Sequence, residues 1–245
     1  MHYFEAGEGR PVVLLHGNGS SAREYEGAIE RLSRDARVIC LDYPGFGDSE
    51  GLAKRFDIHG ITDIVAEFVL ATKLDRPVIG GTSLGGIIAV DFLARYPELA
   101  RGLVLVETPC RSWEAWGPLW PFVEDLFAIP TQTLEQITPR FRAATPKLLR
   151  RLNIDRNKVG GRLMMEAMWG IREFDIAVAS SIAVPTLLVF GEKGVVGDGA
   201  GELMRLIPHA RHVEMKNCGH FPMVDDPERF ATVLVDFLRS EGLRA

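Results

Sequence analysis

Val78-Ile79-Gly80-Gly81-Thr82-Ser83-Leu84-Gly85-Gly86 is the stretch from which the rest of the chain can be read. An apolar run enters it, with a strand expected over Val78 to Gly80, and a helical pattern from Ile87 to Tyr96 leaves it. At its centre Gly81-x-Ser83-x-Gly85 has the G-x-S-x-G spacing of a nucleophile elbow, a sharp strand-to-helix turn with a strained serine at its tip. Residues two before and two after the serine face the converging strand and helix, which leaves no room for a side chain. Such a turn pushes Oγ out over the N-terminus of the following helix. There, free N–H groups and the helix dipole favour developing negative charge. Taken alone, the pentapeptide fits a glycine-rich turn with a capping serine equally well.

Outward from this stretch, short apolar runs alternate with helical patterns. Pro11–Leu15, Val38–Leu41, Leu103–Val106 and Thr186–Phe190 are continuous apolar runs bounded by turn residues, as expected of strands buried on both faces of a parallel sheet. Tyr3–Ala6 reads as an edge strand and Arg211–Met215 as a last strand. Helices are expected over Ala22–Ser33, Asp57–Thr72, Ala200–Ile207 and Pro227–Arg239, the last with a core face of Phe230, Val233, Leu234 and Phe237. The alternation predicts an α/β fold with a doubly wound, mostly parallel sheet. It breaks at Thr108. From there to Ala183 no strand pattern occurs, and all 4 tryptophans (Trp113, Trp116, Trp120, Trp169) fall in that stretch among punctuating prolines. The expected organisation is a core of residues 1–107 and 184–245 interrupted by a helical cap at 108–183.

Composition narrows the function classes. The 245 residues are 47% hydrophobic and 25% charged, and the net charge of −5 provides no electrostatic footprint for nucleic acid. The loosely basic segment Arg140, Arg142, Lys147, Arg150 and Arg151 reads as a solvated helix face. No apolar run approaches the ~20 residues of a membrane span, and Met1–Glu5 has neither the basic nor the apolar region of a signal peptide. The 3 cysteines, Cys40, Cys110 and Cys218, lack metal-ligand spacing, and an odd number suits a reducing compartment. A cytoplasmic protein acting on a small molecule is expected, with no cofactor, nucleic acid or membrane partner; the oligomeric state stays open.

The chain resembles the α/β-hydrolase superfamily in its compact form with a helical cap. The resemblance spans nearly the whole chain and rests on motifs in order: His16-Gly17-x-Gly19, Asp42-x-x-Gly45-x-Gly47-x-Ser49, Gly81-x-Ser83-x-Gly85-Gly86, and Gly219-His220 before the last helix. In such enzymes the nucleophile is followed by an acid and then a histidine. The resemblance implies Ser83 as nucleophile and His220 as its base, with the backbone N–H groups of Asn18 and Leu84 as the oxyanion hole. His16 belongs to the glycine-rich loop and reads as structural. A serine at 83 separates the chain from the dehalogenase and epoxide-hydrolase branches, which resemble this fold but use Asp.

The acid departs from the family pattern. Phe190-Gly191-Glu192-Lys193-Gly194 places glycine where Asp is common. Glu107, at the end of the strand after the nucleophile helix, is preferred, because strand ends in open parallel sheets face the active-site crevice and provide a rigid mount. Asp198 is the alternative, with a helix N-cap as its ordinary role, and Glu192 ranks last. The implied activity is hydrolysis of an ester, thioester or lactone of a small hydrophobic substrate. Alternatives are a C–C or C–N bond hydrolase with the same triad, or a ligand-binding receptor on the same fold. Trp113, Trp116 and Trp120, spaced by three and four, would turn rings from one helical face toward the crevice or pack the cap onto the core. Met164, Met165 and Met168 read as core filling.

Overall fold

A computed structural model describes residues 1–51, 55–110, 161–194, 196 and 198–243. Trp113, Trp116, Trp120 and most of the expected cap lie outside them.

The apolar runs form a 7-stranded sheet in the order β1-β3-β2-β4-β5-β6-β7. Its strands are β1 (Tyr3–Ala6), β2 (Pro11–Leu15), β3 (Arg37–Leu41), β4 (Val78–Thr82), β5 (Gly102–Val106), β6 (Thr186–Gly191) and β7 (Arg211–Met215). Only β1 is antiparallel, pairing with β3 at the edge; every other pair is parallel. Because side chains alternate along a strand, each continuous apolar run supplies two cores. Val13, Leu15, Leu103 and Leu105 pack with α2 (Ile58–Ala71) and α3 (Leu84–Arg95) on one face. Val12, Leu14, Val104 and Val106 pack with α1 (Glu26–Leu32) on the other, where Phe230, Leu234 and Phe237 from the last helix, Pro227–Ser240, also lie. Each such fully buried side chain contributes roughly 1.5–3 kcal/mol through removal from water.

Three local differences from the sequence expectation bear on the site. β4 continues through its glycines to Thr82, which pairs with Val106. A Cβ at Gly80 would lie 3.0 Å from Leu14 and 3.2 Å from Val104, so neighbouring side chains occupy the space its own would take. Helix α3 starts at Leu84, not Ile87, so the glycines taken as turn residues form its first turn. The expected helix over Ala22–Ser33 is split into a 3-10 turn, Ala22–Tyr25, and α1. The Ala22 N–H is captured at 2.7 Å by Asp42 Oδ1 from another strand end, and the Tyr25 hydroxyl donates to the Leu15 carbonyl at 3.0 Å. These bonds turn Glu24 and Tyr25 inward, and both are buried.

Helix α4 (Gly161–Glu173) buries Met164 and Ala167 against the α2–α3 face, and Met168 is buried too. Glu166 Oε2 accepts the Phe56 N–H at 2.9 Å, tying α4 to the segment before α2. Trp169 is 43% exposed with the Arg55 guanidinium over its ring. After a 3-10 turn (Ile176–Ser181) the chain enters β6. The last helices are α5 (Gly199–Leu206), α6 (Pro222–Asp225) and α7 (Pro227–Ser240); α7 starts on Pro227 with the Asp226 carboxylate capping the Arg229 N–H at 3.1 Å. Among the described residues no helix is long and apolar enough to cross a membrane.

Candidate active site

The turn between β4 and α3 has the geometry that its glycines imply. Ser83 sits at φ +52° and ψ −110°, a left-handed conformation that costs a non-glycine residue on the order of 1–3 kcal/mol. Its backbone is fixed on both sides: its N–H donates to the Val106 carbonyl at 2.9 Å, and its carbonyl accepts from Ile87 at 3.1 Å. A Cβ on Gly81 would fall on the Gly85 carbonyl, and one on Gly85 on the Leu15 carbonyl. The G-x-S-x-G spacing is therefore a packing requirement of strand and helix. Leu84 is the first residue of α3, where an N–H has no acceptor within the helix.

One strand over, β5 ends in a second left-handed residue, Glu107, at φ +46°. Its N–H donates to the Val189 carbonyl at 3.0 Å. Its side chain is fully buried. Oε1 accepts the Gly191 N–H at 2.7 Å, and Oε2 lies 3.0 Å from His220 Nδ1. A carboxylate there makes Nδ1 the protonated ring nitrogen and leaves the Nε2 lone pair available for proton transfer. His220 is 9% exposed. Its loop is held by the Gly219 N–H on Asp225 Oδ2 at 2.7 Å and by the Lys193 N–H on the Cys218 carbonyl at 2.8 Å.

The departure at Gly194 has a steric explanation. A Cβ at Gly194 would fall on the Glu107 carboxyl group. Any side chain at 194 and the Glu107 carboxyl compete for the same space. Asp198 is exposed and caps α5, with Oδ1 accepting the Gly201 N–H at 3.1 Å. Glu192 is exposed and accepts the Asn217 N–H at 2.9 Å. Of the carboxyls weighed from the sequence, the structure brings Glu107 to His220 and engages the other two elsewhere.

The His16–Ser20 loop leaves β2 at the same end of the sheet. His16 is fully buried, and desolvation lowers its pKa from 6.5 to about 4, so the ring is neutral at physiological pH. Neutral, it serves as a two-ended strut: Nδ1 bonds the Gly17 carbonyl at 2.8 Å, and Nε2 accepts the Tyr43 N–H at 3.4 Å. The structural role read from the sequence fits that arrangement. The Gly17 carbonyl also accepts from Ser20 N–H at 3.2 Å. That carbonyl belongs to the same planar trans peptide as the Asn18 N–H, so fixing one aims the other in the opposite direction. The Asn18 side chain reaches α4, with Nδ2 donating to the Met164 carbonyl at 3.0 Å, and Oδ1 is buried without a partner among the described residues.

The Asp42 motif is structural. Asp42 accepts from Ala22 and Asp48 N–H groups and bonds His2 Nδ1 at 2.6 Å, while the Ser49 hydroxyl donates to its carbonyl at 2.7 Å. A Cβ on Gly47, at φ +55°, would fall on the Asp42 carboxylate. Thus His2, Asp42 and Asp48 lie close together as the knot of a loop. Sequence reasoning missed Glu24, a fully buried carboxyl whose Oε2 accepts the Gly17 N–H at 3.1 Å.

A parallel sheet with a left-handed serine turn at one strand end and a buried carboxyl–imidazole pair at the next defines an α/β hydrolase. The chain belongs to the alpha/beta hydrolase family, whose model matches residues 12–233, and it is a hydrolase. It is 30% identical to a pimeloyl-[acyl-carrier protein] methyl ester esterase of Nitrosomonas europaea, covering 95% of this chain and 97% of that protein. It is 28% identical to the 2-hydroxy-6-oxo-6-(2'-aminophenyl)hexa-2,4-dienoic acid hydrolase of Metapseudomonas resinovorans, covering 96% of this chain and 86% of that one. Among solved structures, the enol-lactonase of Burkholderia xenovorans superposes with a TM-score of 0.81 at 25% identity, covering 97% of this chain and 96% of that chain.

Proposed function

We propose that the chain is a cofactor-independent serine hydrolase cleaving an ester, thioester or lactone of a small hydrophobic substrate. The observation that carries this reading is the buried 3.0 Å bond between Glu107 Oε2 and His220 Nδ1, formed at the strand end next to the Ser83 turn. The similarity to an esterase and an enol-lactonase supports the bond type.

In this reading His220 Nε2 takes the Ser83 proton as Oγ attacks the substrate carbonyl carbon. The negative charge that develops on the carbonyl oxygen is met by the Asn18 and Leu84 N–H groups. His220 returns the proton to the departing oxygen or sulfur, leaving an acyl group on Ser83. It then removes a proton from water, which attacks the acyl carbon. Collapse of that adduct releases the acid and restores the serine. Glu107 keeps the imidazole in the tautomer with Nδ1–H and stabilises the imidazolium.

Sustained turnover of a short-chain p-nitrophenyl ester, many products per protein molecule, is the expected outcome in a chromogenic assay. Binding without turnover points to a receptor on the same fold. A second reading keeps the same three residues but breaks a carbon–carbon bond of a dienoic ring-cleavage product; the similarity to the hexa-2,4-dienoic acid hydrolase favours it. Preference for such a dienoate over aryl esters in the same assay distinguishes the two.

A further inference from the structure

Glu24 is a buried carboxyl that no step above uses. It is 1% exposed and sits on the 3-10 turn Ala22–Tyr25 beneath the His16–Ser20 loop. One oxygen, Oε2, accepts the Gly17 N–H at 3.1 Å; the other is buried without a hydrogen-bond partner among the described residues. The hydroxyls of Ser20, Thr82 and Tyr25 surround the carboxyl and favour its charged form, but burial outweighs them and pushes its pKa up to about 7. Leaving a carboxyl oxygen buried and unpaired is costly.

Gly17 is flanked by two peptide planes. The one after it, carrying the Asn18 N–H, is held through the Gly17 carbonyl by His16 and Ser20. The one before it is held at both ends, through the Gly17 N–H by Glu24 and through the His16 carbonyl by the Tyr43 hydroxyl at 3.1 Å. Gly17 has no Cβ of its own to restrict φ, and the place where a Cβ would stand is bounded by Phe221 at 3.3 Å and by the Thr82 carbonyl at 3.6 Å. Removing the Glu24 bond leaves the Gly17 N–H without its acceptor and the plane before Gly17 held at its carbonyl end alone, by the Tyr43 hydroxyl. Glu24 also neighbours Thr82, whose hydroxyl bonds Tyr25 at 2.8 Å and whose next residue is Ser83. The carboxyl therefore stands one residue away from Asn18 on one side and from Ser83 on the other.

We propose that Glu24 is a positioning residue for the oxyanion hole: by accepting the Gly17 N–H it fixes the amide end of the plane before Gly17, whose carbonyl end Tyr43 holds, and so sets the direction of the Asn18 N–H. The proposal rests on the reading of Asn18 and Leu84 as oxyanion donors. An aimed amide acts on the tetrahedral species more than on bound substrate, so its loss appears in kcat and spares KM.

The test compares wild type, Glu24→Ala, Glu24→Met and Glu24→Gln in the full chain, with p-nitrophenyl butyrate as substrate and an alkyl boronic acid as tetrahedral-adduct probe. Alanine and methionine remove the acceptor; methionine keeps the volume and serves if the alanine variant does not fold. Glutamine keeps a carbonyl oxygen in place. The expected result is a fall in kcat of about 10- to 100-fold for alanine and methionine, a fraction of what losing a whole oxyanion donor costs. KM should stay within about 2-fold, boronate affinity should fall in parallel with kcat, and glutamine should recover most of the loss. Folded alanine and methionine variants with wild-type kcat, a loss carried by KM, or a glutamine variant as impaired as alanine would each overturn the proposal. An inactive wild type would instead fail the hydrolase reading itself.

Discussion

Ser83→Ala lowers kcat/KM for a short-chain aryl ester by at least about 10,000-fold, with no comparable change in stability. The effect is large because this substitution removes the atom that forms the covalent intermediate, leaving only the background that binding and the oxyanion donors provide. The small structural effect follows from the turn. Alanine has the same Cβ as serine, so the left-handed backbone at φ +52° is no more strained. The bonds that fix residue 83, to Val106 and from Ile87, are made by its backbone. Steady-state kinetics, read beside the urea unfolding midpoint of each protein, check both halves. A folded Ser83→Ala protein with turnover within 10-fold of wild type would remove Ser83 from the mechanism.

The second large effect concerns the acid. Glu107→Gln lowers kcat by about 100- to 10,000-fold, because a buried amide at this position no longer enforces the Nδ1–H tautomer or stabilises the imidazolium. Asp198→Asn leaves kcat within about 2-fold, since that exposed side chain caps α5, and asparagine caps as well as aspartate. The Gly194 contact adds a sharper comparison. Gly194→Asp in the wild-type background sets two carboxyls on one volume and is damaging. In a Glu107→Ala background the volume is vacated, and the backbone at 194 is not left-handed, so an aspartate is accommodated. There, Gly194→Asp restores at least about 10-fold of the lost kcat, as expected for a carboxyl returned to the imidazole. Activity of Glu107→Gln near wild type, or equal losses in Glu107→Gln and Asp198→Asn, would refute this placement of the acid.

Much of this site was legible in the sequence because its residues sit where regular elements end. Continuous apolar runs fix the strands, and Ser83 and Glu107 fall at the ends of two adjacent ones. The glycine at 194 marks a departure from the pattern that the family resemblance implies, and the strand end at Glu107 offers a carboxyl to fill it. What local pattern cannot convey is which partner a side chain finds across the fold. Ala22–Ser33 reads as one helix, and nothing in that pattern singles out the Glu24 carboxyl. It turns inward because Asp42, from a distant strand end, captures the Ala22 N–H and tightens the first turn. The same holds for the start of α3: propensity penalises Gly85 and Gly86 in a helix, whereas contact with Leu15 and Thr108 requires them there. His16 shows the converse, a histidine in a catalytic motif whose burial keeps it a neutral strut.

The most direct measurement is intact-mass analysis with peptide mapping after exposure of the wild-type protein to a serine-directed fluorophosphonate. A single adduct per chain, mapped to the peptide containing Ser83 and absent from Ser83→Ala, is the expected result. A folded, unlabelled wild type, or an adduct at any other serine, would contradict the assignment of Ser83 as the nucleophile.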